Sequence, residues 1–283
     1  MADAFDHCGE LLREGDKDRF LATLFAPPKY RRALFALYAF NLEVARTREL
    51  AREPMPGEIR LQWWREVLSG IGRGDIDAHP VAAAIRDVVV RYRLPPKALA
   101  DLIDARTFDL YDEPMADVGY LERYAVHTSS VLVELAARIL RDGRDPDVGP
   151  LAAHAGLAYA ISGLLRALPL HSARGQIYLP ADLMQRYGAQ TADILAGHAT
   201  GEIRAVLAEL RLRARHHLGA MRPLLAAAAP DVLPALLPVA LVKPALARME
   251  RRGYAPFAPS ELPQWRRQWI LWRAARTNLR KAF

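Results

Sequence analysis

Residues 156–180 read GLAYAISGLLRALPLHSARGQIYLP. The stretch starts as an apolar helix of small residues and passes Arg166. It then meets Pro169 and His171 and closes on Arg174-Gly175-Gln176-Ile177-Tyr178-Leu179-Pro180. A proline ring removes one backbone donor, so Pro169 costs the helix its bond to the carbonyl of Leu165 if that turn stays α-helical.

Outward from this stretch, helical periodicity runs in both directions. Residues 6–25 predict a first helix that stops before Pro27-Pro28. A second runs from about Lys29 to Arg52, with Leu34, Leu37, Tyr38, Asn41, Ala45 and Glu49 on one side. Glu58–Ile71 follows, carrying Trp63, Trp64 and Arg65, before a Gly72-Arg73-Gly74 turn. His79-Pro80 opens the next helix, and Lys97–Tyr111 and Tyr120–Leu140 continue the pattern. After Pro180, Glu202–Met221 predicts a long amphipathic helix ended by Pro223. Residues 224–247 predict short, kinked buried helices, and the last helix starts at Gln264. No strand alternation appears. The expectation is an all-α chain, one helical domain over residues 1–283.

Composition limits the function classes. The chain is 52% apolar with a net charge of +7, 39 basic against 32 acidic residues. That excess suits a membrane surface or a phosphate-bearing ligand, and equally a solvated basic surface. No zinc-finger or RNA-binding signature accompanies it, so no nucleic acid partner is expected. The single cysteine, Cys8, excludes an internal disulfide and a cysteine-built metal cluster. The first twenty residues are charged throughout, and no run of about eighteen uninterrupted apolar residues occurs, so a cytoplasmic protein is expected.

The ordered landmarks resemble the squalene/phytoene synthase family. They are Arg32-Ala33-Leu34-Phe35-Ala36-Leu37-Tyr38-Ala39-Phe40, then Leu61, Trp64-Arg65, His79-Pro80-Val81, Leu94-Pro95, Asp104 and Asp109. Tyr120-Leu121, Tyr124, Arg166 and the run Arg174–Pro180 complete them. The resemblance implies an isoprenoid-synthase-like helical bundle with a central cavity. Active members condense prenyl diphosphates, using magnesium held between two aspartate-rich helices. Magnesium takes oxygen ligands, and carboxylates oppose its charge.

Both clusters depart from that pattern. The family places the first at positions 45, 46 and 49, which here are Ala45, Arg46 and Glu49. It places the second at 167, 170 and 171, here Ala167, Leu170 and His171, and Gly163 stands where an amide is usual. Unit charges ~4 Å apart interact by ~4 kcal/mol at an effective dielectric near 20, so losing most of the carboxylates removes more attraction than Glu49 restores. The set Ala39-Phe40-Asn41 with Glu43, Leu61-Gln62-Trp63-Trp64 and Leu165–His171 resembles the non-catalytic branch typified by mitochondrial complex I assembly factor 6. This implies a pseudoenzyme acting in assembly of respiratory NADH dehydrogenase (complex I), with a complex I subunit or assembly protein as partner. It also implies an isoprenoid diphosphate or lipid in the inherited pocket, and no cofactor or metal. The alternative is a magnesium-dependent prenyl diphosphate transferase using Glu43, Glu49, Asp104 or Asp109.

Each candidate residue has a plainer competitor. Arg46, Arg48, Arg166 and Arg174 suit phosphate, but also ordinary surface ion pairs. Tyr38, Tyr159 and Tyr178 suit a cavity wall, with core packing as the default. His154, His171 and His216-His217 lack an acidic partner at metal-site spacing, so surface or capping roles are expected. Trp265, Trp269 and Trp272, with Arg266, Arg267, Arg273, Arg276, Arg280 and Lys281, suit a membrane interface at the inner face of the cytoplasmic membrane or an acidic partner. A tryptophan stripe at this spacing is more often docked into its own core, and that is the expectation here.

Overall fold

The computed structural model describes residues 3–51, 53–71, 76–259 and 261–277. Every regular element among them is helical, as the periodicity predicts. Backbone contacts divide the chain into two compact units. One comprises Met1–Tyr111, Val131–Gly149 and Ala228–Pro238; the other Asp112–Ser130, Pro150–Ala227 and Val239–Phe283. The predicted Gly72–Gly74 turn and the basic pair Arg280 and Lys281 lie outside the described residues.

In the first unit, prolines in the first turn start the helices Pro28–Ala45, Pro54–Ser69, Pro80–Arg91 and Pro96–Ala105. There the missing amide would have no intrahelical partner anyway. His79 caps the third, its Nδ1 accepting from the amide of Ala82 at 3.3 Å. The predicted single helix at 6–25 is two, Ala4–Gly15 and Lys17–Thr23. Asp16 separates them because its carboxylate accepts from the amide of Arg19 at 3.1 Å, a cap that competes with helix continuation. The core gathers around Pro28–Ala45, where Leu34, Leu37, Tyr38, Phe40 and Asn41 are buried. Phe40 meets the indole of Trp64 edge-on, 5.2 Å between centroids.

In the second unit, Gly149–Arg166 packs against the π-helical turn Val126–Ser130. A Cβ on Gly156 would lie 2.3 Å from Ser130 Cα, and the Ser130 hydroxyl donates to the carbonyl of Ala153 at 3.0 Å. This close approach explains the glycine that opens the stretch. The expected cost at Pro169 does not arise. The helix ends at Arg166, Ala167 leaves helical geometry (φ −86°, ψ 1°), and Pro169 sits in the first turn of a new helix, Leu168–Ala173.

Pro223 departs from expectation in the opposite direction. It lies inside the helix Gly201–Ala227 instead of ending it. The interior proline costs ~3 kcal/mol. Burial of Leu218, Met221 and Leu225 on both sides of it offsets that cost, at ~1.5–3 kcal/mol per large side chain. Pro230–Met249 is long and apolar enough to span a membrane by length and composition, with mean hydropathy 1.5. Two thirds of it is buried, and it runs as alternating short 3-10 and α segments.

Candidate functional site

In the first unit, the helix carrying the first signature breaks where the metal cluster would stand. Pro28–Ala45 ends at Arg46 (φ −88°, ψ 6°), and a single turn, Thr47–Leu50, follows. Arg46 then reaches forward to Glu49, Nε to Oε2 at 3.0 Å. The other carboxylates are treated alike. Glu43 meets Arg60 at 2.7 Å, Asp104 meets Arg65 at 2.6 Å, and buried Asp109 meets Arg106 at 3.0 Å. Every carboxylate proposed for magnesium thus has a guanidinium at contact distance.

The consequence is chemical more than energetic. The exposed pairs, Arg46 with Glu49 and Arg65 with Asp104, add ~0–1 kcal/mol each to stability. But a carboxylate held by a guanidinium has its charge balanced, and an incoming divalent ion must displace that partner. Among the described residues, no group of three or more His, Cys, Asp or Glu side chains is placed to hold a metal ion. The donor set therefore does not fit the magnesium cluster that the synthase fold implies.

Tyr38 lies in the core, 4% exposed. Burial pushes its hydroxyl up to about 12, with Asp16 adding to the shift and Arg19 opposing it. It is a packed, protonated phenol. Cys8 is likewise pushed up to about 12 by burial, which makes it an inert thiol. Ala45 and Arg48 are half-buried and Arg46 is exposed.

In the second unit, Arg166, Ala167 and His171 are half-buried, whereas Leu170 and Arg174 are exposed. The His171 ring packs on Tyr178 at 4.4 Å, and Tyr178 in turn lies 6.0 Å from Tyr124. Behind them Leu121, Ile161, Leu165, Leu168 and Leu210 enclose a cavity of about 10 Å³. That is room for one water. Where the second aspartate cluster would be, this unit presents methyl, isobutyl and imidazole groups.

The sequence missed a pairing 63 residues apart. His154 Nδ1 lies 3.0 Å from His217 Nδ1, so one ring donates and the other accepts. Glu122, which has no sequence-level link to either, lies 3.8 Å from His217 Nε2 and 3.4 Å from Arg213. Burial holds His217 below the usual histidine value, with Glu122 opposing and His154 and His216 adding to the shift. The pair is a satisfied polar contact, buried on the His217 side and half-buried on the His154 side. Arg60 and Arg65 were similarly beyond the reach of local spacing as partners, since they sit 17 and 39 residues from the carboxylates they hold. Arg106 and Arg46 lie three residues from theirs, a spacing at which helical neighbours meet.

The squalene/phytoene synthase family model matches residues 12–273. The chain belongs to the squalene/phytoene synthase family. Within reach of that family, it is 31% identical over 260 residues to complex I assembly factor 6 of Rattus norvegicus, covering 92% of this chain and 78% of that protein. The human protein of the same name is 31% identical over 256 residues, covering 90% and 77%. Chloroplastic phytoene synthase 1 of Arabidopsis thaliana is 28% identical over 225 residues, 76% of this chain and 52% of that protein. Among solved structures, a dehydrosqualene synthase superposes with TM-score 0.82 at 18% identity, over 98% of this chain and 97% of that one. Squalene synthase HpnC from Alicyclobacillus acidocaldarius gives TM-score 0.74 at 23% identity, over 90% and 95%. These squalene and dehydrosqualene synthase structures establish the all-α isoprenoid synthase fold for this chain.

Proposed function

We propose that this member of the family is a pseudoenzyme that acts in the assembly of respiratory complex I. The observation that carries the loss of catalysis is the pairing of Glu43, Glu49, Asp104 and Asp109 with Arg60, Arg46, Arg65 and Arg106. The similarity to complex I assembly factor 6 over nine tenths of the chain supports the assembly role. The proposed partner is a complex I subunit or assembly protein, met in the cytoplasm or at the inner face of the cytoplasmic membrane.

A retained ligand, an isoprenoid diphosphate or a lipid, belongs to the same proposal. Asn41 Oδ1 and Trp64 Nε1 in the first unit are buried and make no hydrogen bond within the protein. Such atoms call for an ordered water or a polar ligand group. The competing reading, a magnesium-dependent prenyl diphosphate transferase, is supported by the match to phytoene synthase 1. Purified protein with magnesium and geranylgeranyl diphosphate separates the two, and no diphosphate release is expected. Removing the gene is expected to lower complex I abundance and NADH oxidation. Unchanged complex I under respiratory growth would remove the assembly role.

A further inference from the structure

The last described helix, Gln264–Arg276, reads QWRRQWILWRAAR. Its inner face is Arg267, Leu271 and Ala274, all buried. Its outer face carries Trp265, Trp269 and Trp272 at i, i+4 and i+7, which are 69%, 51% and 45% exposed. The expectation that this stripe docks into the protein's own core is therefore overturned. The helix holds its place through Leu271, Ala274 and the buried Arg267, whose guanidinium reaches Glu261 at 3.6 Å, and the indoles are left outside.

The arginines follow the indoles outward. Arg273 lies over the Trp269 ring at 5.3 Å and Arg276 over the Trp272 ring at 5.0 Å. Both are exposed. No acidic residue occurs from Gln264 to Thr277. A guanidinium stacked on an indole keeps its charge at the level of the ring edge, so aromatic and positive groups present one surface. Three adjacent exposed indoles are a costly surface to leave in water.

We propose that this helix lies flat on a bilayer containing anionic phospholipid. The three indoles sit at the boundary between headgroups and acyl chains, and Arg273 and Arg276 rest on lipid phosphates. Two features favour a bilayer over an acidic protein surface. The indoles form a single stripe along one exposed helix face, matching a planar boundary that accepts indoles along its whole length. The charge on the helix is of one sign, matching a surface whose charge is also of one sign. Docking of this kind does not depend on the assembly role, and vesicles alone test it.

The test uses the full-length protein with vesicles of phosphatidylcholine, with or without about 30% phosphatidylglycerol. Expected are sedimentation with the anionic vesicles and weakening of binding as salt rises. Tryptophan emission should shift to the blue and be quenched by brominated acyl chains. Trp265→Ala/Trp269→Ala/Trp272→Ala should lower binding at least tenfold with an unchanged circular dichroism spectrum, because the replaced rings are exposed. Arg273→Glu/Arg276→Glu, which keeps the indoles, should lower it roughly tenfold and lessen the salt dependence. Absence of vesicle binding would overturn the proposal. So would vesicle binding that neither variant weakens, or docking on a purified complex I subunit through these tryptophans without any affinity for vesicles.

Discussion

At the scale of single residues, Gly156 and His217 have the sharpest consequences. Gly156→Ala would put a methyl group 2.3 Å from the Cα of Ser130, and backbone cannot yield as a flexible side chain does. The variant is expected to lose about 2–3 kcal/mol in denaturant titration. His217 links stability to pH. It is held below 6.5, the value of an ordinary histidine, mainly by burial. Below pH 6.5 the unfolded chain takes up a proton that the folded chain resists, so this contribution is complete above 6.5 and is lost as pH falls. The groups facing the ring are His154, His216 and Glu122, and Arg213 in turn holds Glu122. His79, also held low by burial, adds in the same direction. Thermal melts between about pH 7.5 and 5.5 should show a falling midpoint, and His217→Asn should flatten that fall.

At the scale of elements, proline decides more than its presence in the sequence reveals. Pro169 sits in a first turn and costs nothing, whereas Pro223 sits inside a 27-residue helix. Pro223→Ala restores an amide donor within the helix. Its gain of up to ~3 kcal/mol is reduced because proline also restricts the unfolded chain. A net stabilisation of about 1 kcal/mol is expected in denaturant titration. Helix positions were legible in the sequence because period and proline placement are local. Breaks at Asp16, Arg46 and Ala167 were not, because each depends on a cap or a junction whose cost is set by packing. The same limit applied to the site. The missing aspartates were plain from residue identities, but what the surviving carboxylates do was hidden. Arg60 with Glu43 and Arg65 with Asp104 meet only after folding. The tryptophan stripe was visible, yet periodicity gives a helix face and does not say whether that face looks inward.

At the scale of the whole molecule, the chain keeps the family's helical framework and lacks its charge arrangement. The stretch 156–180 carries a close-packed glycine, the Arg174–Pro180 run of the family signature and an aromatic pair, His171 on Tyr178. Its counterpart at residues 41–49 has Asn41 in the core, and its Glu43 and Glu49 meet arginines. Carboxylates already held by guanidinium groups are poorer magnesium ligands than free ones, which supports the proposed scaffolding role over ionisation of an allylic diphosphate. The most direct measurement of that claim is complex I abundance and NADH oxidation in a deletion strain complemented with either the wild-type chain or Glu49→Gln/Asp104→Asn. Loss of complex I on deletion and equal restoration by both chains are expected, since the proposed role uses those carboxylates for no chemistry. Unchanged complex I in the deletion strain, or restoration by the wild type alone with both proteins equally abundant, would contradict it.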